Sequence, residues 1–261
     1  MVEIAQIKDK IAISQLLIRW RLVTSKKLLI VRPNCPGDNY TTLFSFPSAE
    51  LVKTKAVAEG WTVTDLQGNN ANRANVESNI NSKTPDFVIH YDHGSNFTLY
   101  GQNANAITPA IDSANVDLLS GRAVSTVSCE SAAGLGPLAV SATAKAYLGY
   151  DDLHWVHLWY LDKFMEASNA ANYALLEGKT FQQAYDAAYA KYTEKWNELV
   201  GIDAGAAGLL LHDRDHLTLL GNASAKATGI KVVSTLRPKV IPKLKKTIPT
   251  KVPMPTIRKT R

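Results

Sequence analysis

Cysteine is nearly absent from this chain: 261 residues contain two, Cys35 and Cys129. Two cysteines make no disulfide framework, so an apolar core must hold the fold. Long apolar runs are missing as well. The best stretch, residues 11–23, is interrupted by Arg19 and Arg21, well short of the ~20 apolar residues that span a bilayer. No small-residue cleavage site follows an apolar segment near the N-terminus, so a reducing, cytoplasmic setting is the expectation. Three Asn-x-Ser/Thr sites, at Asn39, Asn96 and Asn222, are then read as chance. Gly134-Leu135-Gly136 lacks the lysine and spacing of a phosphate loop. No internal repeat is visible. Acidic residues are absent from Lys226 onward, where 11 of the 29 lysines and arginines lie. The first 225 residues therefore hold 18 basic against 23 acidic side chains, a net of −5 inside a chain of net +6.

What is present suits an ordinary α/β protein. The apolar share is 46% and the charged share 20%, enough for one large domain with a full core. Apolar spacing over residues 3–23 predicts an amphipathic helix, giving an N-terminal segment 1–25. Residues 27–31 read as a buried strand closed by an Asn34-Cys35-Pro36-Gly37 turn. Residues 48–59 read as a helix stopped by Gly60, residues 61–66 as a strand and residues 72–80 as a polar helix. Two further buried strands are expected at 86–90 and 122–127, with a loop or short helix between them. An alanine-rich helix over 137–145 and a strand over 146–150 follow. Long helices are expected over 153–176 and 181–199, the second opening on a Thr180-x-x-Gln183 capping box. Residues 209–220 read as a strand or hairpin. This order predicts a mostly parallel central sheet with helices on both faces, occupying residues 26–227. Beyond it, residues 228–261 alternate proline with lysine and arginine and predict a flexible basic tail.

Two short stretches carry the chemistry. Tyr91-Asp92-His93-Gly94-Ser95 follows one predicted strand and Ser128-Cys129-Glu130-Ser131 follows the next. Reactive groups gather at the carboxyl ends of neighbouring strands in an open parallel sheet, so a thiol and an imidazole can meet there as a nucleophile pair. Asp-His-Gly-Ser and Cys-Glu-Ser in this order resemble the caspase-like cysteine peptidase superfamily. The likeness is closest to legumain-like and CHAT-domain members and covers about residues 26–226. It implies a caspase-like three-layer sandwich and a cysteine endopeptidase without cofactor, acting on a peptide or protein substrate through Cys129 and His93. It also implies an oxyanion hole from the Gly94 and Cys129 backbone N–H groups, where a glycine lets the backbone approach the substrate. Ser128 stands where relatives often have alanine.

Further candidates are softer. Asn34, just past the first strand, could orient His93 as in legumains, or simply belong to a turn. Glu130 could order the backbone around the nucleophile or line the pocket. Asp151 and Asp152 could receive a basic substrate side chain, or begin a helix. His212 and His216 are spaced to share a metal on a helix, but the leucines around them favour a strand, so no metal site is expected; His154 and His157 have no more support. Tyr185, Tyr189, Tyr192 and Trp196 form a stripe at helical spacing suited to packing. Two rivals stand beside the peptidase: a catalytically silent interaction module of the same fold, and a protein that binds nucleic acid or another polyanion through the basic tail. A glutamine amidotransferase would need a Gly-x-Cys-x-Gly elbow, which is missing.

Overall fold

The computed structural model describes residues 19–102 and 108–235. Among the described residues, Val23–Lys231 form one compact unit, and residues 19–22 and 232–235 fall outside it. Eleven strands occur among the described residues: β1 Arg19–Ser25, β2 Lys27–Arg32, β3 Thr62–Gln67, β4 Phe87–Tyr91, β5 Gly94–Ser95, β6 Thr98–Tyr100, β7 Pro109–Asp112, β8 Ala123–Val127, β9 Ala146–Tyr150, β10 Leu217–Gly221 and β11 Gly229–Thr235. Six α-helices join them: α1 Phe46–Ala58, α2 Arg73–Lys83, α3 Leu135–Ser141, α4 Leu161–Leu176, α5 Phe181–Leu199 and α6 Ala204–His216.

The central sheet has the order β10-β9-β8-β4-β2-β3. All its pairs are parallel except β9 with β10. Period-two alternation fills both faces. Leu28, Ile30, Phe87, Ile89, Tyr91, Leu148 and Tyr150 join α1, α4, α5 and α6 in one core. Leu29, Val31, Val88, Val124 and Tyr147 join α2, α3 and the β5-β6-β7 sheet in the other. The unit is therefore a three-layer α/β sandwich with a mostly parallel middle sheet.

Local chemistry sets several boundaries. Asn72 caps α2 by accepting the Asn75 N–H at 3.0 Å. Thr180 and Gln183 complete the capping box at the start of α5, which satisfies two otherwise free N–H groups. Asp203 caps α6 through the Ala206 N–H at 3.0 Å. Along α5, Tyr192 is buried while Tyr185 and Trp196 pack at the edge of the core. Tyr189 lies under the Arg214 guanidinium at 4.7 Å.

Four expectations are corrected. Residues 19–25 are not the end of a helix but strand β1, paired with β11; the rest of the expected helix lies outside the described residues. The proximal tail is likewise strand β11, and residues 236–261 lie outside the described part. Residues 153–157 form a loop and the helix starts at Leu161, because the interior claims this loop: the Asp213 carboxyl accepts the Trp155 N–H at 2.9 Å and His154 is buried. Residues 209–216 belong to helix α6, with only Leu217–Gly221 forming a strand. The Asp203 cap and the Ala204, Ala206 and Ala207 run favour that helix.

Candidate active site

The chain moves from β2 through α1 to β3 on one side of β2, then returns to place β4 on the other. That reversal opens a crevice at the carboxyl ends of β2 and β4, the usual place for a site in such a sheet. Residues 33–38 leave β2 into it, and Asp92, His93 and Gly94 leave β4.

His93 and Cys129 follow their strands at the same offset. Tyr91 pairs with Val127 across β4 and β8, and each of the two residues lies two positions beyond its member of that pair. Gly94 presses against the thiol's own turn. A Cβ there would sit 2.9 Å from the Cys129 carbonyl oxygen and 3.0 Å from Ser128 Cβ, so only glycine allows this approach. Gly94 also opens the β5-β6 hairpin. Tyr100 N–H donates to the His93 carbonyl at 3.2 Å, which makes Gly94 and Leu99 the non-bonded pair of the ladder and turns the Gly94 N–H away from β6.

The nucleophile turn is held from behind. Glu130 adopts φ +53°, a left-handed conformation uncommon outside glycine, and its N–H donates to the Asp152 carbonyl at 2.9 Å. Glu130 thus contributes through its main chain. Ser131 Oγ bonds Thr126 Oγ1 at 2.7 Å. Ser128 is fully buried and its hydroxyl meets His90 Nδ1 at 2.8 Å, while His90 Nε2 lies 2.7 Å from the Tyr100 carbonyl. With Nε2–H donated to that carbonyl, Nδ1 accepts from Ser128. Burial lowers the His90 pKa to about 4, which keeps the ring neutral. The serine in place of alanine therefore has a partner waiting on β4.

Cys129 is partly exposed. Its Sγ lies 3.4 Å from the His154 N–H and 3.8 Å from the His154 carbonyl. Burial raises the thiol pKa, with the Asp213 and Glu130 charges adding to the rise, so the thiol is the resting form. Among the described residues no hydrogen bond joins Cys129 to His93. The His93 ring instead bonds Asp38 Oδ2 through Nε2 at 2.6 Å and stacks on Tyr40 with centroids 4.8 Å apart. Tyr40 in turn reaches His154 Nδ1 at 3.2 Å through its hydroxyl. Its phenol is held well above its usual pKa by burial first, then by the charges of Cys129, Asp92 and Asp213. One aromatic ring thus sits between the imidazole and the loop that flanks the thiol.

The partner found for His93 is Asp38, not Asn34. The Asp38 carboxylate is fixed by the Tyr40 N–H at 2.9 Å and the Thr41 N–H at 3.3 Å. Asn34 uses its main chain on the Gln102 side chain, at 2.6 and 2.7 Å, and its buried Oδ1 has no hydrogen-bond partner. Asp38 follows the same strand on the same sheet edge. Its place just past β2 is the sequence signal that points to it.

Asp151 and Asp152 begin no helix. Asp151 takes His216 Nδ1 at 2.8 Å and the Thr218 hydroxyl at 3.0 Å; Asp152 accepts the Leu153 N–H at 2.7 Å. Behind the thiol loop, His154 Nε2 lies 3.1 Å from Ser168 Oγ and 3.5 Å from Asp213 Oδ2. Burial holds the Asp213 carboxyl well above the usual range and the His154 pKa at about 3.

Asp92 is nearly inaccessible, and desolvation followed by the Asp38 charge pushes its pKa up to about 8. A carboxyl that binds its proton more tightly folded than unfolded stabilises the fold fully below its unfolded pKa of 3.8 and loses that contribution as pH rises to about 8. His90 and His154 act oppositely, costing stability as pH falls below 6.5. Comparing the wild type with Asp92→Asn isolates the first effect. Chemical denaturation should show the wild type losing stability relative to the variant from pH 4 to pH 8, by an amount on the order of a few kcal/mol. A constant difference across that range would mean Asp92 is not buried with its proton.

No known protein-family model matches the chain, and no curated protein matches it in sequence. Among solved structures it is similar to the complex of the pro- and mature domains of RgpB from Porphyromonas gingivalis, with a TM-score of 0.50 and 14% identity. The match covers 77% of this chain and 48% of that one, so the chain spans about half the length of that structure. An identity this low speaks for the fold alone. The sandwich is of the caspase-like kind.

Proposed function

We propose that the protein is a cysteine endopeptidase in which Cys129 is the nucleophile and His93 its proton carrier. The equal offset of the two residues past the paired Tyr91 and Val127, on adjacent parallel strands, carries this reading. The fold likeness to RgpB, a cysteine peptidase, supports it. Asp38 completes the group. With Nε2–H donated to Asp38, the lone pair of a neutral His93 lies on Nδ1, which takes the Cys129 proton when a peptide enters. Sγ then bonds the carbonyl carbon, and the oxyanion that forms is stabilised by the Gly94 and Cys129 N–H groups. The C–N bond breaks as His93 returns its proton to the leaving amine, leaving a thioester. Water, deprotonated by His93, cleaves the thioester and restores the thiol.

Substrate side chains would meet the 153–159 loop, whose main chain touches Sγ. Leu153, Trp155, Leu158 and Trp159 are exposed there, Trp159 by 83%. That surface favours apolar residues near the scissile bond. Asp151 is engaged by His216 and Thr218, which argues against its use as a basic-residue pocket. The silent-module alternative draws on one observation: the thiol is bonded to His154 main chain rather than to His93. Profiling a peptide library separates the two. Internal cleavage, enriched for apolar residues beside the cut, is the expected result; a library left intact by protein that is folded and reduced would support the silent module.

A further inference from the structure

Helix α6 ends by bringing two imidazoles and a carboxylate to one point. Ligand atoms of Asp152, His212 and His216 all lie within 4.8 Å of one another. The two histidines are i, i+4 on the last turn, with ring centroids 4.4 Å apart. Hydrogen bonds already orient both rings. His216 Nδ1 is engaged by Asp151 Oδ1 at 2.8 Å, which leaves Nε2 as the lone-pair atom, 3.8 Å from Asp152 Oδ2. His212 Nε2 lies 3.0 Å from the Leu153 carbonyl, which fixes Nε2 as its N–H and leaves Nδ1 free. Each ring is thus held in the tautomer that offers one nitrogen, the arrangement that orients metal-bound histidines.

We propose that Asp152, His212 and His216 bind a divalent transition metal of the zinc class, with Asp151 as the carboxylate that orients His216. Two imidazoles and one carboxylate suit zinc and leave a fourth position for water. Metal–ligand bonds of about 2.1 Å require ligand atoms about 3.5 Å apart, so side-chain rotations of about 1 Å close the cluster. The dication would offset the paired charges of Asp151 and Asp152. It would also tie α6 to the 151–154 segment, whose Asp152 carbonyl holds Glu130 and whose His154 main chain flanks Cys129. Binding is independent of whether the thiol is catalytic.

The test uses the full chain carrying Cys129→Ala, so that no metal can be held by the thiol. Zinc titration by calorimetry should show one site of micromolar affinity or better. Cobalt(II) should give the visible absorption of a four-coordinate nitrogen–oxygen site. Zinc at saturation should raise the Tm by roughly 5 °C, reversed by a chelator. Asp151→Asn, which keeps every ligand, should weaken binding about 10- to 100-fold; the double variant His212→Ala, His216→Ala should abolish it. Absence of saturable binding below millimolar zinc overturns the proposal. So does binding of wild-type strength in the double variant.

Discussion

Cys129→Ala should leave the fold intact and remove peptide hydrolysis, lowering kcat by about five powers of ten. The thiol is partly exposed and packs no core, so its loss costs little stability. Its removal leaves only the positioning and oxyanion contributions to catalysis. Cys35→Ser, in the turn after β2, should retain wild-type turnover. Steady-state kinetics on one cleaved peptide, with thermal unfolding of each variant, checks both. Full activity in Cys129→Ala, or loss in Cys35→Ser with Cys129 intact, would reverse the assignment of the nucleophile.

Asp38→Asn should lower kcat by two or more powers of ten with little change in KM. The carboxylate accepts Nε2–H and leaves Nδ1 basic. An amide can present its NH2 to the ring instead, which favours the other tautomer and turns the lone pair away from the thiol. Asp38 also holds the Tyr40 and Thr41 N–H groups, so its role in the turn needs a control: Asn accepts those bonds as well as Asp does, and the variant should fold normally. Asn34→Ala, by contrast, should change kcat less than about 3-fold, because its side-chain oxygen contacts no partner. Equal losses in the two variants would assign the turn, rather than the carboxylate, to His93.

Part of the site was legible because strands advertise themselves. Phe87–Tyr91 and Ala123–Val127 are short apolar runs, and the parallel pairing of β4 with β8 brings their carboxyl ends together. Sequence order places Asp38 at the right sheet edge but does not reveal its partner. Its contact depends on how the Tyr40–Ser45 helical turn folds back over the crevice, which no periodicity records. The 153–157 loop departs from the expected helix for a similar reason: its Trp155 N–H is satisfied by Asp213, 58 residues away. The β5-β6-β7 sheet went unread, since two strands of two and three residues give no repeat to detect. The leucines around His212 and His216 suggest a strand, where helix α6 puts the two histidines on one face. Short apolar runs do not separate strand from helix by themselves.

In the proposed mechanism one thiol, armed by one imidazole, attacks a peptide carbonyl. Intact-mass and peptide-mapping spectrometry after exposure to a peptide bearing a thiol-reactive electrophile at the scissile position tests it most directly. A single adduct on Cys129, formed at least 100-fold more slowly in His93→Ala, is the expected result. An adduct on Cys35 instead, or labelling of Cys129 at the same rate with and without His93, would contradict it.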